Sequence, residues 1–369
     1  MNFKRRNPAA DIIRIVALFL VISVHFCLNI GFYSQVVEGK RMFVLTVMRS
    51  FFIICVPLFL TLSGYLLRKK RLEVSYYGRI GKIVITYILA SLACVFYVVV
   101  FQKQQMSITN VIEGILDFTA APYSWYIEMY LGLFLLIPFL NIVYNALSTQ
   151  KQKILLIITF IVLTALPPML NVYNFQSLDW WMQPSSSVEV NKIFPAWWQS
   201  LYPITYYYIG CYLGEYGLKI KKSLNLALII FWTLLSGSFC FWRSHQGKFI
   251  WGEWCAYQSL FNVVLTVLVF SFFININYGK LSNVLARFLQ KVAGLCLGAY
   301  LVSWIFDVKV YSILSKQVPE VKHRLEYYII VVPIIFALSL ITSYLLSIIQ
   351  FVVEKAFGVI KFKKESPGE

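Results

Sequence analysis

The sequence predicts an all-α, polytopic membrane helix bundle of about ten transmembrane helices, with both termini in the cytoplasm. The 369-residue chain is 59% hydrophobic and only 13% charged, and its mean hydropathy is +0.71. A soluble domain of this composition would expose too much apolar surface to water. The apolar residues also form runs long enough to cross about 30 Å of hydrocarbon, and the basic residues concentrate between alternate runs.

Ten apolar runs of roughly 18 to 27 residues follow one another along the chain. The fifth run ends at Pro167 and Pro168, and Pro203, Gly210 and Gly214 interrupt the sixth, which could be re-entrant. No polar block exceeds about 30 residues, so residues 1–369 are predicted to form a single integral-membrane domain. The predicted limits are 12–33, 42–67, 80–101, 123–147, 154–171, 199–217, 224–241, 257–274, 292–310 and 327–353.

The distribution of basic residues tests this topology. With the N-terminus inside, 21 Lys and Arg residues fall on the cytoplasmic side, 11 fall on the outer side, and Arg14 lies within the first run. Because positive charge is retained inside, both termini are predicted to be cytoplasmic. The same bias accounts for most of the net charge of +17, so no nucleic-acid partner is expected. The terminal basic residues are Lys4, Arg5 and Arg6, and then Lys355, Lys361, Lys363 and Lys364.

Arg14 and His25 lie eleven residues apart in the first apolar run. At about 100° per residue they return to nearly the same helix face, roughly 16 Å apart along the axis. Ionisable groups at membrane depth are rare unless they face a cavity or a partner. His25, about eight residues from the outer end of its run, is a candidate general base. The alternative is a histidine that hydrogen-bonds to a neighbouring helix.

Two carboxylates are predicted near the level of His25. Glu128 lies about five residues into the fourth run, where it could contact His25, orient the imidazole and stabilise its protonated form. Asp307 lies near the outer end of the ninth run, at a compatible level. For Glu128 the alternative is a side chain at the membrane rim that reaches water.

Three basic residues on the cytoplasmic side could bind an anionic donor. Arg79 and Lys82 share one face at the start of the third run, and Arg14 lies at the cytoplasmic mouth of the first. Together they could hold the phosphates of a nucleotide, and Asp11 could hold the Arg14 guanidinium in place. The alternative for Arg79 and Lys82 is ordinary anchoring at the membrane surface.

The seven cysteines are scattered, mostly within apolar runs, and show neither a CxxC motif nor histidines at ligand spacing. No metal site is therefore predicted, and we interpret the cysteines as small buried side chains. The sequence leaves one alternative open, in which Cys240 and Cys255 face the outer compartment and pair.

Five motifs occur in order along the chain. The most specific are an Arg-x10-His spacing and a Pro-to-Ser-Gly segment; a basic pair, a Trp-x-x-Glu/x-x-Tyr segment and a Gly-x-Tyr-Leu segment follow. They occupy Arg14 to His25, Val56 to Tyr65, Arg79 to Lys82, Trp125 to Tyr130, and Gly298 to Val302. With these motifs the chain resembles the membrane acyltransferase-3 family, which O-acetylates bacterial surface polysaccharides.

The resemblance implies a multi-pass enzyme of the cell inner membrane. It would transfer an acyl group, most simply acetyl, from cytoplasmic acetyl-CoA to a hydroxyl of a surface or lipid-linked glycan on the outer side. Arg14, Arg79 and Lys82 would then bind the CoA phosphates, and His25, Glu128 and Asp307 would form the catalytic group. A transient acyl-histidine is an alternative. The alternative function is transport of polysaccharide or lipid-linked oligosaccharide without acyl transfer.

The chain departs from the family pattern in two places. The late segment often ends in His, whereas this chain has Ser303, so the role of that His is absent or taken by Asp307. The second basic residue of the pair is Lys82 rather than Arg, and an ammonium is a poorer planar clamp for phosphate than a guanidinium.

Overall fold

A computed structural model describes residues 7–356, and this part of the chain is built from helices, which confirms the all-α prediction. Two isolated β-bridges are the strand-like pairings within it. The helices are α1 (Pro8–Asn29), α2 (Gly39–Phe52), α3 (Cys55–Leu67), α4 (Val74–Tyr77), α5 (Ile80–Phe101), α6 (Ile108–Leu116), α7 (Trp125–Ala146), α8 (Gln150–Thr164), α9 (Pro167–Leu170), α10 (Leu178–Met182), α11 (Tyr202–Glu215), α12 (Lys222–Ser244), α13 (Leu260–Ile274), α14 (Asn283–Gln317) and α15 (Tyr328–Ala356). Short 3-10 helices cover Phe32–Ser34, Pro184–Ser186, Gln199–Leu201, Glu253–Cys255 and Val321–Tyr327.

Eight helical segments within residues 7–356 are long and apolar enough to cross a membrane. They match eight of the ten predicted runs. The fifth and sixth runs instead form α8 and α11, of 15 and 14 residues. At 1.5 Å per residue these helices are only about 22 Å and 21 Å long, short of the ~30 Å hydrocarbon layer. The exact count of ten therefore stays a prediction.

The contacts of α8 and α11 show that the two helices run in opposite directions across the bundle. At the N-terminus of α8, Gln150 Nε2 donates to the Tyr212 hydroxyl, near the end of α11, at 2.7 Å. The segment between the two helices lies at the other end, where Ser185 Oγ donates to the His245 carbonyl just after α12, at 2.5 Å. We call the end with Gln150 the basic end and the end with His245 the loop end.

Most of the basic residues near the two termini cannot be assigned to either end of the bundle. Lys4, Arg5, Arg6, Lys361, Lys363 and Lys364 lie outside the described residues. The cytoplasmic location of both termini accordingly remains a prediction from the charge distribution.

Helices α3 and α11 cross so closely that their backbones touch at two glycines. A Cβ atom at Gly64 would collide with the Tyr207 carbonyl, and one at Gly210 would collide with the Thr61 carbonyl. The small residues of both helices therefore let the two backbones touch. The second predicted run breaks between α2 and α3 just before Pro57, whose ring has no N–H to continue the helical hydrogen bonds.

The segment between α5 and α7 turns back into the bundle. Tyr87, about 10 Å along α5 from its first residue, donates its hydroxyl to the Ile115 carbonyl near the end of α6 at 2.7 Å. Its ring also stacks on Phe118. The chain thus reaches the interior before α7 begins, and this path brings Tyr123 to the centre of the site described next.

Candidate functional site

Helix α1 presents His25 to the interior near its C-terminal end. The residue is 8% exposed, and Asn29, one turn later, donates from Nδ2 to the His25 carbonyl at 2.8 Å. Because α1 ends at Asn29, His25 lies about 6 Å along the axis from the helix end. It is therefore nearer the loop end than its position in the predicted run indicated.

His25 meets a carboxylate from α14. Its Nδ1 lies 3.4 Å from Asp307 Oδ2, and Asp307 is 1% exposed. The same oxygen accepts a hydrogen bond from the Tyr123 hydroxyl at 2.8 Å. The Tyr123 ring packs against the imidazole with 3.7 Å between ring centroids. Asp307 and Tyr123 thus hold the imidazole with Nδ1 near the carboxylate, within reach of an ion pair but without a hydrogen bond, so Nε2 is the nitrogen left for other chemistry.

Tyr300 and Ser303 support this group from α14. The Tyr300 hydroxyl donates to the Tyr123 carbonyl, and Ser303 Oγ donates to the Tyr300 carbonyl at 2.8 Å. Ser303, where the family often has His, is therefore engaged with its own helix. Asp307, one turn further on, is the α14 side chain that reaches His25.

The predicted contact between Glu128 and His25 is absent from the structure. Glu128 lies in the first turn of α7, and its side chain is exposed. The buried side of this turn carries Tyr126 and Ile127 instead. Successive residues on a helix are rotated by about 100°, so these neighbours turn Glu128 away from the core. The sequence predicted how deep Glu128 lies along its helix, but it did not predict toward which side of the helix the carboxylate points.

A cavity of about 250 Å³ extends between Arg14 on α1 and Tyr300 on α14, and His25 itself is not one of its lining residues. Arg14 and Leu67 line it near the basic end, and Tyr300 lines it at the other. Val21, one helical turn before His25, belongs to the same wall. The remaining lining residues are mostly apolar or aromatic: Val56, Phe59, Leu62, Ser63, Leu66, Ile83, Tyr126, Tyr130, Cys296 and Leu297.

Two of the three predicted donor-binding residues lie outside this cavity. Arg14 lines it, with its Nη1 3.6 Å from Asp11 Oδ1, the predicted neighbour. Arg79 is exposed just before α5. Lys82 faces a different groove, where its Nζ lies 3.7 Å from Glu354 Oε2. The structure therefore brings Arg14 to the cavity but does not join the three basic residues in one cluster.

Arg79 does belong to a positively charged region at the basic end. Partial burial and the nearby Arg79 guanidinium lower the pKa of Lys70, while Glu73 acts in the opposite direction. Such mutual repulsion between cations is relieved when an anion binds between them.

Sequence reasoning missed the aromatic residues that connect the cavity to His25. Tyr126 and Tyr130 stack on each other with 5.8 Å between centroids, and Tyr126 meets Tyr300 edge-on. Tyr123 completes the connection to His25. The density of Tyr and Trp in residues 123–130 was a signal, but a pattern of aromatic residues alone does not distinguish a site from an interfacial belt.

The comparisons with known proteins identify the family of the chain. The profile of the acyltransferase-3 family, described as an acyltransferase domain, matches residues 7–348. No curated protein and no solved structure matches the chain. The matched region includes α1 with Arg14 and His25, the Tyr123 segment and Asp307 on α14. The chain therefore belongs to the membrane acyltransferase-3 family.

Proposed function

We propose that the protein transfers an acyl group, most simply acetyl, from cytoplasmic acyl-CoA to a hydroxyl of a surface or lipid-linked glycan on the outer side of the inner membrane. Family membership supports acyl transfer and does not favour the transport alternative. One observation carries the rest of the proposal: the cavity joins Arg14, near the basic end, to the Tyr300–Tyr123 contact beside His25.

The donor is proposed to enter at the basic end. Its phosphates would contact Arg14 and the exposed Arg79, and guanidinium groups bind phosphate oxygens in pairs. Lys82 would contribute only if a phosphate drew it away from Glu354. The pantetheine arm would lie along the apolar cavity wall with the thioester toward Tyr300. This path spans the roughly 16 Å that separates Arg14 from His25 along α1.

The chemistry would take place at His25 Nε2. This nitrogen removes the proton from the acceptor hydroxyl, and the oxygen attacks the thioester carbonyl. The C–S bond then breaks, the ester forms, and the departing CoA sulfur takes the proton back from the imidazolium. Asp307 stabilises the positive charge while His25 holds the proton, as the carboxylate of a catalytic triad does. The acceptor is proposed to approach from the loop end, about 6 Å from His25.

Reconstituted protein tests the proposal. Vesicles carrying the protein and the lipid-linked glycan fraction of its native membrane would receive acetyl-CoA labelled in the acetyl group, on one side only. We expect label to appear in the glycan in an ester that mild base releases. Protein-free vesicles give the background. If glycan crosses the membrane without acetyl-CoA and never becomes labelled, the protein is a transporter and the proposal is wrong.

A further inference from the structure

Two of the seven cysteines meet at the loop end of the bundle. Cys240 lies one turn before the end of α12, and Cys255 ends the 3-10 helix that precedes α13. The residues just before them pack together, with 6.5 Å between the ring centroids of Phe239 and Trp254, and each thiol acts electrostatically on the other. Cys240 and Cys255 are 1% and 3% exposed. The other five lie on five different helices: Cys27, Cys55, Cys94, Cys211 and Cys296.

A buried cation lies beside the two thiols. Arg49 is 0% exposed, donates from Nη1 to the Cys255 carbonyl at 2.8 Å, and acts electrostatically on both sulfurs. Phe249 and Trp251 cover its guanidinium, each with its ring centroid 5.0 Å away. Thiol–disulfide exchange proceeds through a thiolate, which a neighbouring positive charge stabilises.

We propose that Cys240 and Cys255 form a disulfide in the mature protein. The loop end is the predicted outer side, where disulfides persist. One thiolate attacks a sulfur of a disulfide-bearing thiol oxidase and forms a mixed disulfide, and the second displaces the oxidase. The two cysteines lose two protons and two electrons, and the oxidase leaves as a dithiol. Because both thiols are buried in the folded protein, this step takes place during folding, before the loop closes.

The bridge would tie the loop between α12 and α13 to the bundle. This loop carries Phe249 and Trp251 over Arg49, and it leads to Tyr257. The Tyr257 ring stacks on Trp125 with 5.5 Å between centroids, and Trp125 is two residues after Tyr123 of the site. The disulfide would therefore stiffen the wall that lies between the site and the loop end.

Thiol counting tests the proposal directly. Protein isolated from its native membrane is denatured in N-ethylmaleimide without reductant, digested and analysed by mass spectrometry. We expect five of the seven cysteines to be labelled and Cys240 to be found cross-linked to Cys255. After reduction all seven should label. Labelling of all seven without reductant would overturn the proposal.

Matched variants identify the pair. Cys240→Ser should leave Cys255 free, so that all six remaining cysteines label without reductant. Cys94→Ser, at a cysteine on another helix, should leave the cross-link intact and four cysteines labelled. The number of labelled thiols in the wild-type protein tests the proposal even if Cys240→Ser fails to fold. The count also does not depend on acyl transfer, so its failure would leave the proposed function untouched.

Discussion

Asp307 on α14 holds the imidazole of His25 on α1, with 3.4 Å between its Oδ2 and His25 Nδ1. Both side chains are almost fully buried. Burying an ionised carboxylate away from water costs free energy, so a buried carboxylate needs a partner that can carry positive charge. The pairing therefore defines which imidazole nitrogen faces the carboxylate and gives the protonated ring a counter-charge.

Replacing Asp307 with Asn should lower kcat by about 10²- to 10⁴-fold, because the amide keeps the shape but removes the counter-charge. The KM for acyl-CoA should change little, since Asp307 does not line the cavity in which we propose that the donor binds. Steady-state kinetics on purified protein measures both constants. Asp179→Asn, at an exposed carboxylate on α10, is the control. Equal loss of activity in both variants would contradict the role of Asp307.

Replacing Tyr123 with Phe should lower kcat by about tenfold. The ring can still pack on His25, but Asp307 loses a hydrogen bond that we value at roughly 1.5 kcal/mol. Tyr173→Phe removes a hydroxyl from a ring that stacks on Trp181, remote from His25 in sequence and contacts, and serves as the control. An unchanged kcat in Tyr123→Phe would show that this hydroxyl does not support the reaction.

Replacing Arg14 with Lys should weaken acyl-CoA binding by about tenfold, because the charge stays but the planar pair of donors is lost. Equilibrium binding of acyl-CoA to detergent-solubilised protein measures this. Arg287→Lys, at an exposed position near the start of α14, should bind as the wild type does. Unchanged affinity in Arg14→Lys and in Arg14→Ala would place the donor elsewhere.

The sequence predicted the all-α class and the eight long spans because a membrane imposes length and hydropathy on each helix. It also paired Arg14 with His25, since helical spacing alone determines which side chains share a face. It misplaced Glu128, because the side of α7 that faces the interior depends on packing between helices. The close crossing of α3 and α11 at Gly64 and Gly210 was not predicted either. The sequence contains both glycines, but it does not show that these two distant segments pack against each other.

Single cysteines should establish the topology. Glu189→Cys lies between α10 and α11, and Ser148→Cys lies just before α8; both positions are exposed. If α8 and α11 cross the membrane, an impermeant thiol reagent added outside intact cells should label Glu189→Cys but not Ser148→Cys. All seven native cysteines are buried, so background should be low. If the reagent labels neither position until the membrane is opened, the chain crosses the membrane eight times and the prediction of ten crossings is wrong.

The central claim is that His25 carries the acyl transfer. The chain has three histidines, and His323, exposed near the loop end and paired with Glu320, provides a matched control. Transfer of labelled acetyl from acetyl-CoA to the native glycan fraction should fall by at least about 10²-fold in His25→Ala. It should be unchanged in His323→Ala, with both variants present in the membrane at wild-type levels. Wild-type transfer by His25→Ala would contradict the account.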